Sequence, residues 1–233
     1  QLEQTVQQSL SGTRLDNNIE LKDVLKFSIE GNMCTSIQSF CITNNSIVVA
    51  TVKNDDSVTR LLKFDKVTYE LLSENTSVSY SHANDMCYNP KENLIYITHG
   101  NENKISKVDP VTLNKIGEIS NIWAFGIDYK KEDDTYVLRI NDNGKCKLRV
   151  VDNLFNKIID YDTNFDISST FYVAQGVGVD ENYIIEAYAR PESIFVYDKK
   201  GNLINRYSIN VPSPFEVETI KKSGNNTWFV LVA

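Results

Sequence analysis

"HANDMCYNPKENLIYITHG", residues 82–100, carries the two histidines of the chain, His82 and His99, at its two ends. Between them a short apolar segment leads into Asn89-Pro90-Lys91-Glu92-Asn93 and then into Leu-Ile-Tyr-Ile-Thr. β-Branched and aromatic residues suit a pleated strand, while Asn and Pro suit a turn, so the stretch reads as a β-hairpin. With the turn centred near Lys91 and Glu92, the antiparallel register sets His99 opposite Asn84 and His82 two residues along on the same face.

The hairpin recurs. "QSFCITNNSIVVATV" from Gln38, "FGIDYKKEDDTYVLRI" from Phe125, "QGVGVDENYIIEAYA" from Gln175 and "FEVETIKKSGNNTWFVLV" from Phe215 align with "NDMCYNPKENLIYITH" from Asn84. Their starts lie 46, 41, 50 and 40 residues apart. A second strand pair follows four of them: "RLLKFDKVTYELLSE", "KISKVDPVTLNKIGEI", "KLRVVDNLFNKIIDY" and "SIFVYDKKGNLINRYSI". Each contains an aspartate at the head of its turn, Asp65, Asp109, Asp152 and Asp198. A carboxylate there accepts backbone N–H bonds two residues on, which is a structural duty and not a catalytic one. Four strands per repeat of about 40–45 residues, with no helix-length period between them, is the signature of a β-propeller. Strands apolar at nearly every position fit blades buried on both faces.

The expected fold is all-β: a five-bladed propeller with four-stranded blades, occupying residues 18–233 as one domain behind a 1–17 extension or linker. The fifth repeat stops at "WFVLVA" without its outer strands. "LKDVLKFSI" (21–29) resembles "GNLINRYSI" (201–209), so the start of the chain is expected to complete the last blade and close the ring, leaving no apolar blade face uncovered. Leu2, Val6 and Leu10 have helical spacing, compatible with a short amphipathic helix, with a linker remnant or with part of the blade's third strand.

At "LIYITHGNENKISKVDPVTLNKI" (94–116) the pattern resembles the YVTN-type repeat of YncE-like bacterial propellers, through Tyr96-Ile97-Thr98-His99, Ile105, Val108-Asp109, Thr112 and Ile116. The resemblance implies a propeller of the kind found in bacterial binding, surface-layer and periplasmic proteins and also in enzymes. Five-bladed propellers that look broadly similar include lectins, glycosidases and glutaminyl cyclases. Such a fold does not choose an activity.

Composition narrows the partners. A net charge of −7 with scattered Lys and Arg argues against nucleic acid, and no apolar run reaches the roughly 18 residues of a membrane span. The first residue is Gln1, so the chain is expected to be processed or excised. Acidic charge, few cysteines, an Asn- and Lys-rich surface and the missing start Met are compatible with a module working outside the cell or at its surface, and a monomer is expected. Cys34, Cys41, Cys87 and Cys146 show no CxxC spacing and no clustered His, so they read as buried free thiols. Cys41 and Cys87 occupy equivalent positions of neighbouring repeats, where Asp128, Gly178 and Glu218 stand in the others, so their side chains need not face each other and no disulfide between them is expected.

Innermost and second strands of a blade meet at the mouth of the propeller tunnel, a concave place to hold a ligand. The residues delivered there are Gln38 and Lys53; His82, Asn84, Asp85 and His99; Trp123, Phe125 and Arg139; Gln175, Tyr188 and Arg190; Phe215 and Glu216. Amides, arginines, acids and aromatics together can hold a sugar or a small polar molecule by stacking and forked hydrogen bonds. Two histidines with one aspartate are too few for a metal motif, and no cofactor is expected. A general base is conceivable, His82 or His99 with Asp85 or Glu216 as its partner. Three functions therefore stand open: a ligand-binding module, a hydrolase or lyase at the same mouth, and a protein-binding scaffold. Phe165, Phe171 and Tyr172, in the long interval "DTNFDISSTFY" (162–172), are candidates for a rim or lid or, alternatively, for packing down over the blade junction, and Asp142-Asn143-Gly144 reads as a tight turn.

Overall fold

A computed structural model describes residues 17–29, 33–143, 145–163, 173–224 and 227–233. The expected 1–10 helix, Gly144 and most of the proposed lid lie outside those residues. What is described is all strand and turn, and it forms a β-propeller of four-stranded blades.

The chain divides into two compact units. In the one spanning Asp23–Ile127, the first blade is β2 (Ser36–Ile42), β3 (Ser46–Val52), β4 (Thr59–Asp65) and β5 (Leu71–Val78), hydrogen-bonded in that order. The second is β6 (Asp85–Asn89), β7 (Leu94–Thr98), β8 (Lys104–Val108) and β9 (Lys115–Ser120). Val48, Ala50 and Leu61 of the first blade share one core with Met86, Ile95 and Ile97 of the second. Second strands take the burial on both faces: every residue of β3 is buried, whereas β9 is largely open to solvent. That gradient is why the second strands read as unbroken apolar runs and the outer ones do not.

The other unit runs from Asp128 to Ala233 and includes the chain up to Lys22; the division falls inside β10 (Ala124–Lys130). β10 heads a third sheet with β11 (Thr135–Asp142), β12 (Lys145–Val151) and β13 (Lys157–Asp162). β14 (Val173–Val179), β15 (Tyr183–Ala189), β16 (Ser193–Asp198) and β17 (Leu203–Ile209) make the fourth, and β18 (Val217–Lys222) pairs with β19 (Trp228–Val232).

The turn aspartates do what their position predicts. Asp65, Asp109, Asp152 and Asp198 accept the N–H of Val67, Val111, Leu154 and Lys200 at 2.8, 2.7, 2.9 and 2.8 Å. Each turn closes on a residue in the left-handed region, Tyr69, Leu113, Phe155 and Gly201. All four cysteines are buried.

The blade count differs from expectation. Four sheets have a full set of strands; the fifth repeat is a hairpin of two. The N-terminal segment does not complete it. β1 (Asn17–Ile19) runs parallel to β17, with Ile19 beside Ile209, and becomes a fifth strand of the fourth sheet. Residues 21–29 form no strand, leave Leu21 and Val24 exposed, and turn Phe27 onto Phe64 of the first blade at 5.2 Å. Likeness to 201–209 was a likeness of composition. Where a strand pairs depends on which edge has unpaired backbone groups within reach, and the outer edge of β17 is one residue after another of such groups.

Candidate functional site

The backbone of the second blade brings the two histidines together. Asp85 pairs with Thr98, the N–H of Asn84 donates to Thr98 O at 2.9 Å, and the N–H of His82 donates to His99 O at 3.1 Å. Their rings then part. His99 is 1% exposed, with Nδ1 2.7 Å from Glu102 Oε2 and Nε2 2.8 Å from Ser106 Oγ. Those partners set the tautomer: Nδ1–H donates to the carboxylate, and Nε2 accepts from the hydroxyl. Burial lowers its pKa against the pull of Glu102, so the ring is neutral and both nitrogens are occupied.

His82 is placed differently. Its side chain is 37% exposed and its Nδ1 lies 3.0 Å from Asp56 Oδ1, in the turn between β3 and β4. Asn101 Nδ2 donates to the other oxygen of Asp56 at 2.7 Å, tying the loop after β7 to the same carboxylate. Gly100, at φ +72°, lets that loop bend where a side chain would press on Asn84. Its carbonyl accepts the indole N–H of Trp123 at 2.5 Å. Trp123 is 51% exposed and tilts against Phe125 at 5.9 Å, while Asn84 Nδ2 donates to the carbonyl of Phe125 at 2.6 Å. The result is a connected patch: an imidazole, a carboxylate, an amide, and an indole held at its nitrogen with its ring open.

Asp85 is not part of this patch. It is fully buried; Oδ1 accepts the N–H of Met86 and Oδ2 that of Ile127, both at 3.0 Å. It cannot partner either histidine, which pair with Asp56 and Glu102 instead. Gln38 sits half-buried at a register shift between Ile37 and Ser39.

In the other unit, Arg190 donates to Glu216 through Nε at 2.6 Å, so the proposed acid is engaged as one half of an exposed ion pair. Phe215 beside it is 50% exposed. Glu192 accepts the N–H of Val217 at 2.8 Å, and Glu218 lies 9% exposed nearby. Arg139 and Tyr188 are buried, and Gln175 gives its carbonyl to Arg139 Nη1 at 2.8 Å. Sequence reading did not single out Asp56, Asn101 or Glu102, because nothing local marks a loop residue as a partner of a distant histidine. Glu186 did leave a signal, a lone acid inside the apolar run "YIIEAYA". Among the described residues no group of three or more His, Cys, Asp and Glu is placed to hold a metal ion, and no helix is long and apolar enough to cross a membrane.

No family model matches the chain, and no curated protein matches it either. Solved structures do. Glutaminyl cyclase of Myxococcus xanthus superposes with a TM-score of 0.62 at 9% identity, over 86% of this chain and 87% of that one. A protein of unknown function from Bacteroides caccae gives 0.53 at 11%, over 74% and 66%. Hydrazine synthase of Kuenenia stuttgartiensis gives 0.51 at 14%, over 84% of this chain; the chain spans 55% of that protein. The likeness is one of fold. It supports the propeller expected from the repeats, while membership of the YVTN-type family has no match behind it.

Proposed function

We propose that the chain is a recognition module, working outside a cell or on its surface, that holds a glycan or small polar ligand at the end of the second blade. The observation that carries this reading is Trp123, half exposed, with its indole nitrogen anchored to Gly100 beside the His82–Asp56–Asn101 network. A fixed aromatic face flanked by hydrogen-bonding groups suits the alternation of C–H and hydroxyl surfaces on a sugar ring. The residues first considered for acid–base chemistry support binding in preference to turnover. Both nitrogens of His99 are occupied, the oxygens of Asp85 hold backbone N–H groups, and Glu216 faces Arg190.

One observation favours a hydrolase or lyase as the second reading. Asp56 at Nδ1 of His82 orients the ring so that Nε2 is the basic nitrogen, the arrangement a general base requires. A glycan and metabolite array separates the two. Binding predicts that the wild-type chain retains a ligand unchanged and that Trp123→Ala weakens retention by at least about tenfold, or about 1.4 kcal/mol. Turnover of the retained compound by the wild-type chain, lost in His82→Ala, would establish the enzyme instead.

A further inference from the structure

The interface between the β10–β13 sheet and the β14–β17 sheet is apolar over most of its extent, built from Val137, Leu148, Val177, Ile184 and Phe195. Alternate residues of a strand share a face. The face of β11 that carries Val137 therefore also carries Arg139, and the face of β15 that carries Ile184 also carries Glu186 and Tyr188. Two formal charges are thus buried in an apolar seam, Arg139 at 1% exposure and Glu186 at 0%.

Their hydrogen bonds are incomplete. Arg139 donates from Nε to Cys146 Sγ at 2.9 Å and from Nη1 to Gln175 O at 2.8 Å, and its guanidinium lies over the Tyr188 ring at 5.1 Å. The Tyr188 hydroxyl donates to Glu186 Oε2. Arg139 Nη2, Glu186 Oε1 and the Tyr197 hydroxyl have no partner among the described residues. The charges do sense one another, since Arg139 draws the Glu186 pKa down while burial drives it up. Direct contact would settle two of the three orphaned atoms, yet none is made. A buried donor or acceptor left unbonded is destabilising, more so when charged, and native interiors satisfy such groups with internal water that makes about three bonds.

We propose that this seam holds an internal water whose partners are Arg139 Nη2, Glu186 Oε1 and the Tyr197 hydroxyl. A water accepts from the guanidinium and donates to the carboxylate at once, which a simple ion cannot do: an anion would meet Glu186 and a cation Arg139. The third bond, to Tyr197, fixes it against the fourth sheet. Arg139 is then held on all three nitrogens, and with it the Gln175 carbonyl at the register shift of β14, next to the strand ends where the mouth was expected.

A crystal structure of the wild-type chain, with a second crystal soaked in bromide, tests this. The expected result is one ordered peak about 2.7–3.2 Å from all three atoms, without anomalous signal after the soak. An Arg139–Glu186 pair in direct contact with no peak, or bromide bound in its place, would overturn it. As a second arm, the Arg139→Met, Glu186→Met double variant should lose the peak and the long-lived internal water detected by oxygen-17 relaxation dispersion. Persistence of that relaxation signal would place the water elsewhere and count against the assignment.

Discussion

Glu218 is an acid in an unfavourable place. It projects from β18 at 9% exposure, and burial, reinforced by the charges of Glu216 and Glu192 and opposed by Arg190, pushes its pKa up to about 8. A carboxyl raised above its unfolded value, about 4.3, binds its proton in the fold after the unfolded chain has lost it. Stability from this group is therefore fully present below about pH 4 and lost as pH rises through about 8, by up to a few kcal/mol. We expect the urea midpoint to fall between about pH 5 and pH 9 and Glu218→Gln to flatten that fall; an unchanged slope would contradict the assignment. His99 acts in the opposite sense. Its pKa is depressed by burial, so its contribution is present above the unfolded value of about 6.5 and is lost as pH falls through the folded one. A His99→Gln chain should thus lose less stability on acidification than wild type, read from the same urea series.

First strands have an open edge, and side chains close it. Asp85 on β6 takes the N–H of Ile127 on β10, and Asp128 on β10 takes that of Val179 on β14 at 2.8 Å. Each aspartate also accepts the N–H of its own successor, Met86 or Tyr129. Ser39 on β2 reaches the Ala83 carbonyl at 2.6 Å, and Lys221 on β18 reaches that of Val177 at 2.5 Å. These polar residues staple one first strand to the next by supplying hydrogen bonds that the ladder cannot. Asp128→Ala should cost about 1–3 kcal/mol in chemical denaturation, with Asp128→Asn less harmful because its amide oxygen still accepts. Where β14 meets β18 the device is space instead. A Cβ on Gly178 would come 2.5 Å from Ile220 O and 2.9 Å from the Trp228 ring, so Gly178→Ala should destabilise by about 1–3 kcal/mol. The repeat alignment placed Asp128 and Gly178 at equivalent positions, yet gave no hint that one reaches across and the other makes room. That distinction lives in the spacing between sheets, which a sequence does not display.

Across the whole chain, what was legible was what is local. Turn aspartates, hairpin registers and the buried second strands follow from composition and period, and together they identify the propeller. Blade number was not legible, because the destination of the N-terminal strand depends on which sheet edge is open to it, a contact between residues nearly two hundred apart in sequence. The candidate site was half legible: strand ends supplied His82, Asn84, Trp123 and Phe125, while the loops supplied Asp56 and Asn101 unannounced. The binding account stands or falls on Trp123. The chain has two tryptophans, one half exposed and one, Trp228, 7% exposed, so their indole N–H signals report separately on the proposed site and on the core. Titrating a nitrogen-15-labelled chain with the ligand retained on the array should shift the Trp123 indole signal in a saturable way and leave that of Trp228 still. Saturable shifts confined to Trp228 and its neighbours, with Trp123 unmoved, would contradict the account.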